Sequence, residues 1–245
     1  MSIISFFDRL AFLISVPRCV CCKAHLSYGE RALCAECLAK YEEIKTRNCS
    51  NCSRLLSRCT CANEYLTAHS VKNVIKVFRY KNREENLPAN SVIYSLKKDN
   101  RSDVLSFCTD ELADAIFAAL DTPSECIVTN VPRRRAQIVK YGIDHAELLA
   151  RSIAKKTSAT YMRILKSNVK TAQKEMYGKD RVNNISFDYI DDSIDLKGKT
   201  VILIDDIITT GASVGAAGML LRGLGAKRVI GASLAIAYKD NFSYI

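Results

Sequence analysis

The sequence has no apolar run long enough to span a bilayer, and it shows no internal repeat and no low-complexity tract. Its first 18 residues, MSIISFFDRLAFLISVPR, lack the basic start of a secretory leader, and Asp8 and Arg9 interrupt their apolar stretch. Ile3, Phe6, Phe7, Leu10 and Leu13 instead recur at near-helical spacing, which predicts a short helix docked on the protein's own core. Two nucleotide-binding signatures are also missing. There is no GxxxxGK[ST] loop and no GxGxxG turn, since Gly211, Gly215 and Gly218 have the wrong spacing. Acidic residues are in short supply: 26 Asp+Glu face 36 Lys+Arg, a formal net charge of +10. The excess sits in the middle, where residues 71–190 hold 21 basic and 14 acidic residues, a net of +7. Such a balance suits partners that carry phosphate, although solvated lysines serve solubility equally well. What remains is an ordinary globular composition, 48% hydrophobic and 25% charged over 245 residues. That excludes a mainly disordered, collagen-like or membrane-embedded chain.

Cysteine is abundant and clustered. Nine of the 11 fall between Cys19 and Cys61. With no export signal, a cytosolic, reducing location is expected, where clustered cysteines point to metal rather than to disulfides. Cys19, Cys22, Cys34 and Cys37 have C-x2-C-x11-C-x2-C spacing; Cys49, Cys52, Cys59 and Cys61 form a second set ending in C-x-C. Each set can supply four thiolates to a tetrahedral zinc with no open position, so both zincs are expected to be structural. Cys21 and His25 stand as alternative ligands, and an iron–sulfur cluster is an alternative metal group. The module serves either as a folding staple or as a platform for a partner or nucleic acid. Cys108 and Cys126 read as buried small hydrophobes. Residues 1–66 are therefore assigned to an N-terminal helix plus zinc module, and 67–245 to a second domain.

That second domain alternates helices and apolar strands. Helices are expected over 102–120, 144–158 and 213–224, with Asp144 and Glu147 in capping-box positions. Strands are expected over 126–131, 200–207 and 227–237. This alternation predicts an α/β fold built on a Rossmann-like parallel sheet.

The most informative stretch is VILIDDIITTGAS, 201–213. An apolar strand runs into Asp205-Asp206, then Thr209-Thr210-Gly211-Ala212-Ser213, then a helix. Ligands of parallel sheets bind at carboxyl strand ends, and a helix N-terminus there favours an anion. Gly211 permits a left-handed turn and close backbone approach to a phosphate. Carboxylates beside that phosphate can accept hydrogen bonds from vicinal sugar hydroxyls or hold a divalent cation. Pro132 and the triplet Arg133-Arg134-Arg135 follow a second strand and offer donors for a diphosphate, or for nucleic acid.

Segment 201–213 resembles the 5-phosphoribosyl-1-pyrophosphate (PRPP) motif of type I phosphoribosyltransferases. VPRRRAQIVKYGIDHAELLARSIA (131–154), KTAQKEMYGKDRVNNISF (170–187, with Gln173, Arg181 and Asn184) and the N-terminal cysteine module are similar to segments of the ComF family within that group. Two departures stand out: Tyr141-Gly142-Ile143-Asp144-His145 replaces an Arg-Gly-Phe-Asn-Gln turn, and Lys170 stands where the family has Thr. The resemblance implies a type I phosphoribosyltransferase sheet preceded by a zinc-ribbon-like module. It implies that Thr209–Ser213 hold the 5-phosphate, that Asp205 and Asp206 bind the ribose hydroxyls as the catalytic acids, and that Pro132–Arg135 bind pyrophosphate with Mg2+. Residues 166–184 are expected to form a mobile basic loop over the site. ComF membership further implies a link to DNA uptake (competence) or nucleotide metabolism, with single-stranded DNA and a competence helicase as partners. A PRPP-sensing or DNA-handling adaptor without turnover is the alternative.

Overall fold

The computed structural model describes residues 16–81, 84–134, 138–139, 142–168, 187–191 and 193–237. The N-terminal helix expected over 3–14, Arg135, Tyr141, and the 169–186 stretch with Lys170, Gln173, Arg181 and Asn184 lie outside these residues. In chain order the elements are α1 (Ala35–Lys45), α2 (Glu64–Ala68), β1 (Asn73–Arg79), α3 (Leu87–Lys98), α4 (Ser102–Ala119), β2 (Ile127–Asn130), α5 (His145–Thr157), β3 (Thr160–Tyr161), β4 (Leu165–Ser167), β5 (Phe187–Tyr189), β6 (Thr200–Ile208), α6 (Ala212–Gly223) and β7 (Arg228–Ile236). No helix among the described residues is long and apolar enough to cross a membrane.

Five strands form one parallel sheet in the order β1-β7-β6-β2-β3. Its central strands are buried on both faces, which is why their sequences read as continuous apolar runs. On β6, Ile202 and Ile204 point to one face, and Val201 and Leu203 to the other; none of the four is exposed. Each such side chain contributes about 1.5–3 kcal/mol by leaving water. The Ile202 face is covered by α3, α4 and α5, and the Val201 face by α6. β4 and β5 pair separately as an antiparallel hairpin, with Lys166 opposite Asp188. Lys166 therefore sits on a strand; the rest of the expected basic loop, from 169, lies outside the described residues.

The two cysteine segments flank opposite faces. Cys19 and Cys37 belong to the apolar cluster of the α3–α5 face, together with Tyr41 and Phe107. The rings of Tyr41 and Phe107 meet edge to face at 5.3 Å. Cys49 and Cys59 belong to the cluster of the α6 face. Where the sequence shows no repeat beyond Cys-x2-Cys, the backbone repeats a knuckle. Cys19 and Cys49 each donate to the residue five places on (Ala24 O and Arg54 O, both 2.8 Å), and their own carbonyls accept from Lys23 and Ser53. Lys23 and Ser53 both adopt positive φ, at 66° and 58°. The knuckle folds the chain so that both thiols of each pair face one point.

Candidate functional site

In this strand order, β2 is followed outward by β3, whereas β6 lies on the other side of β2 and is followed by β7. The connections therefore leave in opposite directions at the β2–β6 boundary. A crevice opens there at the carboxyl ends of the strands, the usual ligand position in open parallel sheets. Register places Asn130 opposite Ile204, and Val131 N still donates to Ile204 O at 2.9 Å. Pro132 and Arg133 thus leave β2 at the level where β6 presents Asp205 and Asp206.

Arg133 turns into this crevice. Its Nη2 donates to Asp206 Oδ2, and its Nε lies 3.9 Å from Asp144 Oδ1. Lys97, in the last turn of α3, approaches Asp206 Oδ2 at 3.4 Å. Asp206 is 4% exposed and its Oδ1 accepts from Ile207 N at 2.7 Å. Asp205 Oδ1 accepts from Asp206 N at 2.9 Å. Desolvation, with the charge of Asp206 adding to it, pushes the Asp205 carboxyl well above the usual carboxylate range. The adjacent acids are thus unlike: one is tied to two cations, and the other favours its protonated form.

Asp144 caps α5, accepting from Ala146 N and Glu147 N at 3.1 Å each. Glu147 takes no reciprocal part in a box; its carboxylate accepts from Arg151. His145 follows, 2% exposed, with Nε2 3.1 Å from Asn100 Oδ1 and Nδ1 without a partner among the described residues. Burial first, and the Arg133 charge second, lower its pKa, so the imidazole is held neutral.

The Thr-Gly loop joins the carboxyl end of β6 to α6. Thr209 and Thr210 are exposed, Ser213 is half-buried, and Gly211 takes φ +90° as the residue capping α6. Thr210 Oγ1 accepts from Ala212 N at 3.3 Å, and Gly215 N closes the first turn onto Gly211 O at 2.7 Å. Thr209 and Thr210 thus stand in solvent just ahead of the α6 N-terminus, a place that favours an anion, while Gly211 and Ala212 are buried.

The sequence-predicted residues divide accordingly. Arg133 reaches Asp206 across the β2–β6 boundary, Asp205 lies beside Asp206 on β6, and Thr209–Ser213 follow from the carboxyl end of the same strand. Pro132 is half-buried at its edge, and Arg134 is exposed. Lys97 was missed, because a lysine in a helix's last turn looks like ordinary dipole compensation. Asn63 was missed as well; its Nδ2 donates to Thr210 O at 3.4 Å from 147 residues away.

Both cysteine quartets are assembled. The sulfurs of Cys19, Cys22, Cys34 and Cys37 lie within 4.8 Å of one another, as do those of Cys49, Cys52, Cys59 and Cys61; neither set includes Cys21 or His25. Four sulfurs about 2.3 Å from a tetrahedral zinc would be about 3.8 Å apart, so the donor sets fit. Cys22 Sγ and Cys34 Sγ already stand at 3.6 Å. Burial opposes thiolate formation at Cys59, but the Cys61 amide and the Lys76 ammonium prevail and lower its pKa to about 7. Lys76 itself is fully buried and donates to Cys61 O at 2.6 Å. A buried cation with no carboxylate partner among the described residues, beside a tetrathiolate, suits the negative charge such a centre would carry. Cys108 and Cys126 are buried singly, as expected of small hydrophobes.

Residues 140–241 match the family model described as phosphoribosyl transferase domain. Over 79 residues the chain is 35% identical to ribose-phosphate pyrophosphokinase 2 of Archaeoglobus fulgidus; the match covers 30% of this chain and 29% of that protein. Among solved structures it is similar to a purine phosphoribosyltransferase from Pyrococcus horikoshii (TM-score 0.36, 13% identity, 58% of this chain and 91% of that one). It is also similar to a hypoxanthine phosphoribosyltransferase from Staphylococcus aureus (TM-score 0.34, 13% identity, 63% and 68%). The fold is α/β with a five-stranded parallel sheet, residues 140–241 of the chain match the phosphoribosyl transferase model, and two four-cysteine clusters stand before the sheet.

Proposed function

We propose that the chain binds PRPP with Mg2+ and acts as a ComF-type phosphoribosyltransferase in the cytosol, its 1–66 module holding two structural zinc ions ahead of a 67–245 transferase domain. The observation that supports this reading is the Arg133–Asp206 pair at the carboxyl end of β6, the strand that runs directly into the positive-φ turn at Gly211. Thr209–Ser213 take the 5-phosphate, and Asp205 and Asp206 accept from the ribose hydroxyls. Arg133, released from Asp206, turns to the diphosphate with Pro132, Arg134 and Arg135. That exchange frees a carboxylate for the sugar at the moment a cation is needed for the leaving group. The acids are also the oxygen donors that suit Mg2+, which when bound would offset diphosphate charge.

In the reaction, an acceptor's lone pair forms the new bond at the anomeric carbon. The bond to the diphosphate oxygen breaks, and its electron pair leaves with pyrophosphate. The transition state is oxocarbenium-like, by analogy with glycoside hydrolysis. Once turned, Arg133 supplies, together with Lys97, positive charge toward the departing group, which lowers such barriers.

Isothermal titration with PRPP and Mg2+, beside inorganic phosphate, tests the reading. The double change Asp205→Asn with Asp206→Asn should weaken PRPP far more than phosphate, because the acids face the ribose. Equal losses for both ligands would refute that division. The alternative, a DNA-handling adaptor, predicts instead single-stranded DNA affinity whose logarithm falls steeply with that of salt concentration.

A further inference from the structure

The anion loop does not rest on the sheet alone. Beneath it lies α2, the helix that begins three residues after Cys61, the last sulfur of the second quartet. Asn63 bridges the two. Its Oδ1 caps α2 by accepting from Leu66 N at 2.8 Å, while its Nδ2 donates to Thr210 O at 3.4 Å. Leu66, fully buried, fills the space behind the loop: a Cβ on Gly211 would stand 2.8 Å from Leu66 Cγ. The fit continues along α6, where a Cβ on Gly215 would meet Tyr65 and His69 at 3.0 Å. The glycine face of α6 is thus moulded to the chain that leaves the second quartet.

That chain is in turn held by the quartet. Cys61 forms a backbone bridge to Asn73, Val74 N donates to Thr60 O at 3.0 Å, and Lys76 straps Cys61 O. α2 has five residues, too short to persist without such anchors. Among the described residues the first quartet shows no such route to the loop: its Cys19, Cys34 and Cys37 pack in the apolar cluster of the opposite sheet face.

We propose that the metal-loaded second quartet is the scaffold of the anion loop, with Asn63 and Leu66 as positioning residues, so that metal at Cys49, Cys52, Cys59 and Cys61 sets affinity for the phosphoribosyl ligand. The part concerning affinity rests on the function proposed above; the part concerning loop order does not.

The test uses the full chain and four variants: Cys59→Ser, Cys22→Ser, Asn63→Ser and Leu66→Ala. Zinc per chain, PRPP affinity and hydrogen exchange of the 209–215 amides are measured on each. Cys59→Ser should retain one zinc, show faster exchange over 209–215, and lose at least tenfold more PRPP affinity than Cys22→Ser. Serine is also a good helix cap but is too short to reach Thr210. Asn63→Ser should therefore keep both zinc ions and the melting temperature, yet lose about threefold in affinity, the worth of one weak hydrogen bond. Leu66→Ala should speed 209–215 exchange with zinc retained. Equal loop exchange in Cys59→Ser and Cys22→Ser would overturn the proposal. If Cys59→Ser does not fold, wild-type loop exchange and affinity in both Asn63→Ser and Leu66→Ala would do so. A wild-type chain with no PRPP affinity would overturn the proposed ligand, while loop exchange would still decide the coupling.

Discussion

Arg133 and Arg134 are neighbours of the same chemistry in different surroundings. Arg133 is bonded to Asp206 and faces Asp144, its side chain 14% exposed, whereas Arg134 is exposed. The sequence presents a triplet of equal donors; the direction in which each leaves β2 is decided by the pairing of β2 with β6, which no local pattern encodes. Arg133→Ala should therefore reduce PRPP affinity about tenfold to a hundredfold, since a charge-assisted contact is worth about 1.5–3 kcal/mol. Arg134→Ala should cost less than about tenfold. Titration of both variants checks the ordering, and a larger loss at Arg134 would reassign the diphosphate contact.

Whole elements follow the same distinction between local and remote causes. The helices Ser102–Ala119, His145–Thr157 and Ala212–Gly223 lie within one residue of their sequence-based limits, because each combines helical apolar spacing with a start or stop signal such as Asp144 or Gly225. The central strands β2, β6 and β7 were equally legible as apolar runs. β1 was not, because Lys76 interrupts NVIKVFR and only its burial against Cys61 O reconciles a lysine with an inner strand. α3 carries Pro88 near its start, and α2 is too short to show a period. Packing of the α2–β1 connection against α6 gives a test in which propensity and packing oppose each other. Alanine is favoured over glycine inside a helix by about 1 kcal/mol. At Gly218, however, a Cβ would press into Val71 Cγ2, and Val71 is fully buried. Overpacking of this kind costs about 1–3 kcal/mol. Gly218→Ala should therefore lower the midpoint of denaturant unfolding despite its better propensity. A raised midpoint would mean that the chain between α2 and β1 yields easily around Val71.

At the scale of the molecule, one parallel sheet is clasped by a cysteine quartet on each face, and the chain reaches both before it forms its first strand. The sequence made the quartets legible through spacing, but not their separation, since adjacent stretches of 19–37 and 49–61 read as one module. Only the apolar clusters reveal that Cys37 packs with Tyr41 and Phe107 while Cys59 packs with Leu66 and Val71. A metal in each quartet would hold a different layer against the sheet, and removing both should loosen the two faces together. Structural zinc contributes much of the folding free energy of small units, and about 1 kcal/mol shifts the melting point of a chain this size by about 2–4 °C. Metal analysis of the purified protein should find two zinc ions per chain. A strong chelator should then lower the melting temperature by about 10 °C or more, and added zinc should restore it. One equivalent of zinc would leave a single loaded quartet, and a coloured iron protein would replace zinc altogether. An unchanged melting temperature after complete metal removal would show that the apolar clusters alone carry both layers.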